Sequence, residues 1–557
     1  MNRKLVFLSQ ILAAILALNL GSETFAQINR ADPAKQLEAQ MRQQNIQDDL
    51  LKIPKQVKVA EDQQFRFEPF QGKIPIKSIK LVGDTYLIKF IRLSDSGKGL
   101  DRWFEKTLTA DELNQLILKL NGELFTKGYV TARIEIDKYD ALSRELVLKV
   151  RAGTIGKIET GQFRKNIAFP GLEGKRLRLQ DLEQGLEQLN RLPSQQAVIS
   201  LWPGEQVGET LVKVDKVKVS APYRLSLMLD NLGSEKTGQN VVRANFSFDD
   251  LLTLSDQLFI SGSKSGLGKN RSTGLVWKEE VPFGYYTFSY SGNYSDSRYE
   301  LFKEEDWRFF SNSIKNKISL SRNLFRSLAN QGSLEIALWH YHPRQKFETI
   351  KMRAPKNLSV FETTLQHSYH ALKFRLLSEL NYSNGNKIFD TTADQKSLWR
   401  GAPHAQFNRY RISSDYLWIW SNHFYFSGNV QWQYADRGLP GVVKLSIVDE
   451  TAGVRGGGGM SIETDQGLLL KQELSFPFKI AARNAAHDLK ISPFLSGDLA
   501  WGKDKAYGST IKASSIGGGI KLNIYRWQGK LTLAKMIRPK LSSGGCSVTF
   551  ELSQQLF

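Results

Sequence analysis

The chain has a single cysteine, Cys546, so it can close no disulfide within itself and must be held by hydrogen-bonded structure and packing. Its seven histidines show no metal-ligand spacing. No phosphate-cradling glycine loop follows a strand and opens a helix, and Gly456-Gly457-Gly458-Gly459, with no Lys-Ser/Thr after it, reads as flexible punctuation. These absences leave no enzyme constellation, no metal site and no cofactor site to expect. Long apolar runs are missing as well. Past the N-terminus nothing reaches the ~18 apolar residues of a spanning helix, and mean hydropathy is -0.34. No helix is therefore expected to cross a membrane, which leaves a periplasmic protein or an outer-membrane β-barrel whose lumen side is polar.

What is present begins with Arg3 and Lys4 ahead of an apolar run from Leu5 to Leu20 and a small-residue cleavage site at Thr24-Phe25-Ala26. This is the pattern of a secretory signal peptide over residues 1–26, with a mature start at Gln27. Formal net charge is +20; the signal peptide holds Arg3, Lys4 and Glu23, so removing it subtracts 1 and leaves +19. Lysines spread through an exported chain form no single basic patch, so nucleic acid is not an expected partner. A lipopolysaccharide-facing or pore-lining role suits the charge better.

Residues 27–50 are polar and helix-prone, with Asp32-Pro33 as N-cap and first turn and a thin apolar stripe of Leu37, Met41, Ile46 and Leu50. Residues 51–69, with Pro54 and Pro69, read as a linker. A first αβ module over 70–152 starts with a strand from Ile74 to Gly83. It continues with a helix opened by the Thr109–Glu112 capping box and strands Tyr129 to Ile136 and Glu145 to Val150. In a second module, 153–219, Leu182, Leu186, Leu189 and Leu192 recur at spacings of three and four, so one helical face is apolar. Pro193-Ser194 stops that helix, Ala197 to Leu201 reads as a strand, and Pro203-Gly204 closes it.

From Pro222 onward, runs of about ten residues alternate in polarity, the pattern of a transmembrane barrel. Leu225, Leu227 and Leu229 share one face. Phe424, Phe426, Val430, Trp432 and Tyr434 share another, and Leu468, Leu470, Leu474 and Phe476 oppose Lys471, Glu473 and Ser475. Residues 220–557 divide into sixteen strands at roughly 21 residues each with their loops, and an even number closes without free edges. The stretch 435–466, between predicted strands eleven and twelve, is too long for a plain connection and implies a job.

The wording DLEQGLEQLNRLPS, from Asp181 to Ser194, followed by Pro203-Gly204, closely resembles the second POTRA domain of two-partner secretion transporters, the exporters of haemolysins and filamentous haemagglutinins. NGELFTKGYVTARIEI with ELVLKVRAG resembles their first POTRA domain. The resemblance implies a 16-stranded antiparallel transmembrane barrel in the outer membrane of a Gram-negative bacterium, with two periplasmic α/β POTRA domains and an N-terminal plug helix in the pore. It also implies a partner, a large secreted exoprotein (adhesin, haemolysin or toxin) captured by its N-terminal secretion domain and exported unfolded without ATP. The contact mode it suggests is strand addition to a sheet edge plus apolar grooves near Leu182, Leu186 and Leu189.

Val454-Arg455-Gly456 matches the triplet that tips the family's long lumenal loop, where the arginine pairs with a barrel-wall aspartate. Asp498, on predicted strand thirteen, is the candidate here, because a guanidinium in a narrowed pore keeps its charge cheaply only beside a carboxylate. The chain departs from the family at Gly457, where an aromatic is usual, and at Ser496 and Ala500 around the aspartate. Phe557 resembles the terminal residue by which barrels are recognised by the barrel-assembly machinery. Leu229-Asp230-Asn231 with Gly233 and Gly238, and Val281-Pro282-Phe283-Gly284, resemble family hairpins and need no role beyond turn chemistry. Two other classes share parts of this pattern. A barrel-assembly insertase of the same superfamily usually has more POTRA modules and no plug helix, and a diffusion porin needs no periplasmic modules.

Overall fold

The computed structural model describes residues 37–42, 73–93, 99–161, 163–266, 268–302, 307–327, 329–348, 350–351, 356–421, 424–480, 489–538 and 546–556. The expected signal peptide, the linker, Phe557 and all of the N-terminal helix except residues 37–42 lie outside them.

Residues 223–555 form a closed antiparallel barrel in which each strand pairs with its sequence neighbours and the last, Cys546–Gln555, pairs with the first, Tyr223–Asp230. Two short pieces, Ile350–Lys351 and Phe478–Ile480, continue the strands Leu358–His370 and Gln466–Ser475, so the wall has sixteen staves. Closure removes every edge whose unpaired amides could not be solvated in lipid. Side chains alternate as the sequence demanded. Leu227, Leu229, Trp432, Tyr434 and Leu468 are exposed on the outer wall, while Gln433 and Asp498, each 1% exposed, face inward. Trp418, Trp420 and Trp527 ring the end nearest the periplasmic modules, and Tyr410, Tyr434 and Trp501 ring the other. Aromatic girdles of this kind sit at the two membrane interfaces. Among the described residues no helix is long and apolar enough to cross a membrane; the crossing is made by strands.

The first module stacks two helices, Thr85–Leu93 and Ala110–Thr126, on a sheet ordered Ser78–Gly83, Glu145–Arg151, Arg133–Asp140. The segment expected as one strand from Ile74 to Gly83 is two. Lys73–Ile76 pairs with Lys106–Thr109 in a separate small sheet, and the chain turns at Lys77, whose N–H donates to the Arg144 carbonyl (2.8 Å). Thr85–Leu93, a stretch to which the sequence pattern assigns no element, is a helix even though its Tyr, Ile and Phe favour strands. Asp84 tips the balance by accepting the Leu87 N–H (2.9 Å) as an N-cap. The capping box at Thr109 and Glu112 forms in both directions. Tyr129 to Ala132 is turn, not strand: Gly128 takes a φ of +91° and the Tyr129 N–H returns to Leu124, so the sheet begins only at Arg133.

In the second module Leu182, Leu186, Leu189 and Leu192 of and beside the helix Leu179–Asn190 are fully buried. The first three pack among Ile155, Ala197, Ile199 and Val212 of the sheet Thr154–Glu159, Glu209–Val219, Gln195–Pro203. The modules are latched together. Arg176 donates to Asp84 (2.8 Å) and lies over the Tyr86 ring (5.0 Å), and the Leu179 N–H donates to the Gly128 carbonyl (2.8 Å). Burial alone would raise the Asp84 pKa. The Arg176 hydrogen bond and charge, with the Leu87 N–H, outweigh it and hold the carboxyl below its ordinary value.

Candidate functional site: an occupied lumen and its periplasmic seat

After the eleventh barrel strand, Phe424–Ala435, the chain does not return directly to the twelfth, Gln466–Ser475. It folds into the lumen, making a small hairpin of Leu445–Val448 and Ile462–Thr464. Ile447, Val448 and Val454 pack on Leu469, Ala500, Ala513 and Met536 of the inner wall. Glycine makes room for this approach: a Cβ at Gly502 would stand 2.4 Å from the Thr464 hydroxyl oxygen.

At the loop tip, Arg455 meets Asp498 of the thirteenth strand, Leu489–Lys503, in a two-pronged pair. Nε donates to Oδ2 and Nη2 to Oδ1, both at 2.7 Å, and the Arg455 backbone N–H adds a third bond to Oδ2 (3.1 Å). The side chains are 9% and 1% exposed, so each ion depends on the other for its charge. Glu473 lies 3.6 Å from the same guanidinium, and Lys471 donates to the Thr451 carbonyl (2.6 Å). Val454 is thus an apolar anchor and Arg455 an electrostatic one. Gly456 supplies a backbone that sits at φ +96°, with its would-be Cβ 2.9 Å from the Met536 amide. Glu450 folds the glycine run back by accepting the Gly456 and Gly458 N–H groups (3.1 and 2.8 Å). The run is therefore fixed rather than loose.

A second buried cluster ties the stems of the loop. Lys444 reaches Asp504 (2.6 Å) and Asp465 (3.5 Å), and Asp465 accepts the N–H groups of Leu439 and Lys505 (2.7 and 2.6 Å). Sequence reasoning did not pick out Lys444, Asp465 and Asp504. For Lys444 and Asp465 the only advance signal was charge inside a segment too long to be a plain connection, and Asp504, just past the thirteenth strand, carried none.

Residues 37–42 form a helical segment in the lumen. Glu38 accepts from Asn293 and from Lys315 (3.4 Å), and Arg42 pairs with Glu379. Between this segment and the long loop lies a cavity of about 520 Å³, lined by Lys315, Arg409, Asp449 and Glu463 among others.

The second module sits on the periplasmic turns of the barrel. Gln184 and Gln188, one helical turn apart, both donate to the Gly284 carbonyl (3.1 and 3.0 Å), while the Gly284 N–H donates to Ile167 (2.8 Å). The Tyr285 hydroxyl donates to Asp181 (2.6 Å), and burial and then that carboxylate raise its pKa, so the proton stays on the phenol. Asn323 donates to Gln184 (2.8 Å), Arg191 to the Ser255 carbonyl (2.7 Å), and the Ser194 N–H to Asp249 (2.9 Å). Two expectations are corrected here. Leu182, Leu186 and Leu189 line no open groove, because their face is the core of their own module and the opposite, polar face is the seat on the barrel. Gly284 is more than a hairpin turn: its carbonyl takes both glutamines of that helix, and its N–H bonds Ile167 of the same module.

Comparison with known proteins agrees with this geometry. The family model described as haemolysin secretion/activation protein ShlB/FhaC/HecB matches residues 208–522, and a POTRA domain model matches residues 158–203. The chain is 28% identical over 388 residues to the outer membrane transporter CdiB of Dickeya dadantii (strain 3937), covering 66% of each protein. It is 26% identical over 485 residues to the haemolysin transporter protein HpmB of Proteus mirabilis, covering 83% of this chain and 81% of that one. The solved structure of CdiB from Escherichia coli superposes with a TM-score of 0.82 at 21% identity, over 94% of this chain and 99% of the other, which speaks to the fold.

Proposed function

The chain belongs to the haemolysin secretion/activation (ShlB/FhaC/HecB) family of two-partner secretion, as an outer-membrane transporter with its POTRA modules in the periplasm, and from this we propose how its filled lumen serves export. The cargo is a large exoprotein with an N-terminal secretion domain, captured unfolded in the periplasm. Release of residues 37–42 and movement of the loop tip open the lumen for it. The free energy comes from the cargo folding outside, since the periplasm supplies no nucleotide. The observation that carries this reading is a pore filled by two separate elements, one held by polar contacts and the other tipped by the Arg455–Asp498 pair.

Capture by strand addition suits the outer edges of Arg133–Asp140 and Gln195–Pro203. In both modules a helix asparagine already occupies the backbone N–H and C=O of one edge-strand residue. Asn121 bonds both backbone groups of Ile134 (2.9 and 3.2 Å), and Asn190 bonds both of Ala197 (2.7 and 3.0 Å). An incoming strand would therefore pair beyond those residues. Deleting residues 74–218 should abolish secretion while the barrel still inserts, measured as exoprotein in the medium against heat-modifiable barrel in the membrane. Continued secretion would remove the capture role.

A further inference from the structure

The outer wall carries a feature that export does not use. Where the thirteenth to fifteenth strands reach the extracellular side, Lys503, Lys512, Lys535 and Arg538 lie within a few residues of one another across the sheet. Register places Lys512 opposite Trp501, Lys503 opposite Thr510, Lys535 opposite Ile516 and Arg538 opposite Ser514. Their neighbours on the same face, Leu499, Trp501, Ile516 and Leu533, are exposed apolar residues of the lipid-facing surface. Arg538 joins that face because the register slips at Ser514 and Ser515. Among the described residues none of the four has a carboxylate in ion-pair range, whereas elsewhere on this rim Lys269 pairs with Glu300 (3.2 Å) and Arg298 with Asp296 (3.4 Å). Like charges side by side on a sheet repel and call for a counter-anion. Directly beside them lies a groove of about 350 Å³ whose walls are Leu468, Leu470, Leu499, Trp501 and Ser514, with Lys512 and Arg538 at its rim.

We propose that this is a binding site for lipid A of the outer leaflet, the cations taking its phosphates and the groove an acyl chain. Charge complementarity and the apolar lining select an amphiphile with an anionic head over a soluble anion, and a juxtaposed cation strengthens attachment to an anionic lipid surface. The site rests on the outer-membrane placement of the chain and is independent of how cargo moves.

The test is native mass spectrometry of the full-length protein titrated with phosphorylated lipid A, with dephosphorylated lipid A, phosphatidylethanolamine and inorganic phosphate as separate arms. Phosphorylated lipid A alone should be retained. The K512Q/R538Q variant should need about thirtyfold more lipid A for half-saturation. Ser514→Trp, which fills the groove and keeps the cations, should also weaken retention, and K512R/R538K should preserve it. Equal retention by K512Q/R538Q, equal binding of dephosphorylated lipid A, competition by phosphate alone, or loss in K512R/R538K would overturn the site. Secretion is measured in parallel: a secreting wild type that retains no lipid A would refute the site and leave transport untouched.

Discussion

Replacing Arg455 by alanine should undock the loop tip without unfolding the barrel. The guanidinium makes two 2.7 Å bonds to a carboxylate that is 1% exposed, and removing one member of such a buried pair costs about 3–5 kcal/mol, because the other is left charged and dry. At about 1.4 kcal/mol per tenfold, the docked-to-undocked ratio should fall between about a hundredfold and a few thousandfold. Asp498→Ala should cost less, about 2 kcal/mol, because Glu473 at 3.6 Å still faces Arg455. Arg455→Lys should fall between the parent and alanine, since an ammonium keeps a charge beside Asp498 but cannot span both oxygens. The wall itself should survive, because Asp498 lies in a strand bonded to both neighbours along its length. The assay is the rate at which a membrane-impermeant maleimide labels Ser461→Cys, buried in the docked loop, in a Cys546→Ser background. Arg455→Ala should speed labelling in proportion to the undocking and reduce secretion. Equal labelling rates and equal secretion, at equal barrel yield, would refute the reasoning.

Gln184→Ala with Gln188→Ala removes both donors from the Gly284 carbonyl, so the second module should loosen by about 2 kcal/mol and protease should cut more readily between residues 219 and 223. Unchanged cleavage would mean the seat is held by its other contacts. Glu38→Ala with Arg42→Ala should raise the ion conductance of single pores in planar bilayers, because the lumenal segment loses its pairs with Lys315 and Glu379. Conductance equal to the parent would contradict displacement of that segment. The Asp84 pKa is lowered in the folded protein, so the Arg176 latch contributes fully above the ordinary aspartate value and is lost as pH falls through the lowered one. Intermodule cross-linking should accordingly hold constant near neutrality and drop only in strong acid, and Asp84→Asn should abolish that dependence.

Much of this was legible in the sequence because period-2 alternation and turn residues survive in a barrel wall whose two faces meet such different media. Trp432 against Gln433 is a one-residue contrast that only a lipid side and a water side explain. The Arg455–Asp498 pair was legible through a motif, and the fold brings those two side chains together. What was not legible was relational. The apolar face of Leu182 to Leu189 looks the same in sequence whether it packs inside its own sheet or awaits a partner, and only the fold assigns it to the core. Gly284 resembles any turn glycine until two glutamine donors from a helix about a hundred residues away meet its carbonyl. The helix Thr85–Leu93 was missed because tertiary packing and one capping aspartate overrode its strand-prone composition.

The most direct test of export through the lumen is site-specific photo-cross-linking to a cargo stalled during secretion. One probe replaces Gln431, which lines the lumenal cavity, and a second replaces Leu499 on the outer wall. Cross-links from Gln431 and none from Leu499 are expected. Cross-links from Leu499 with none from Gln431 would contradict passage through the barrel.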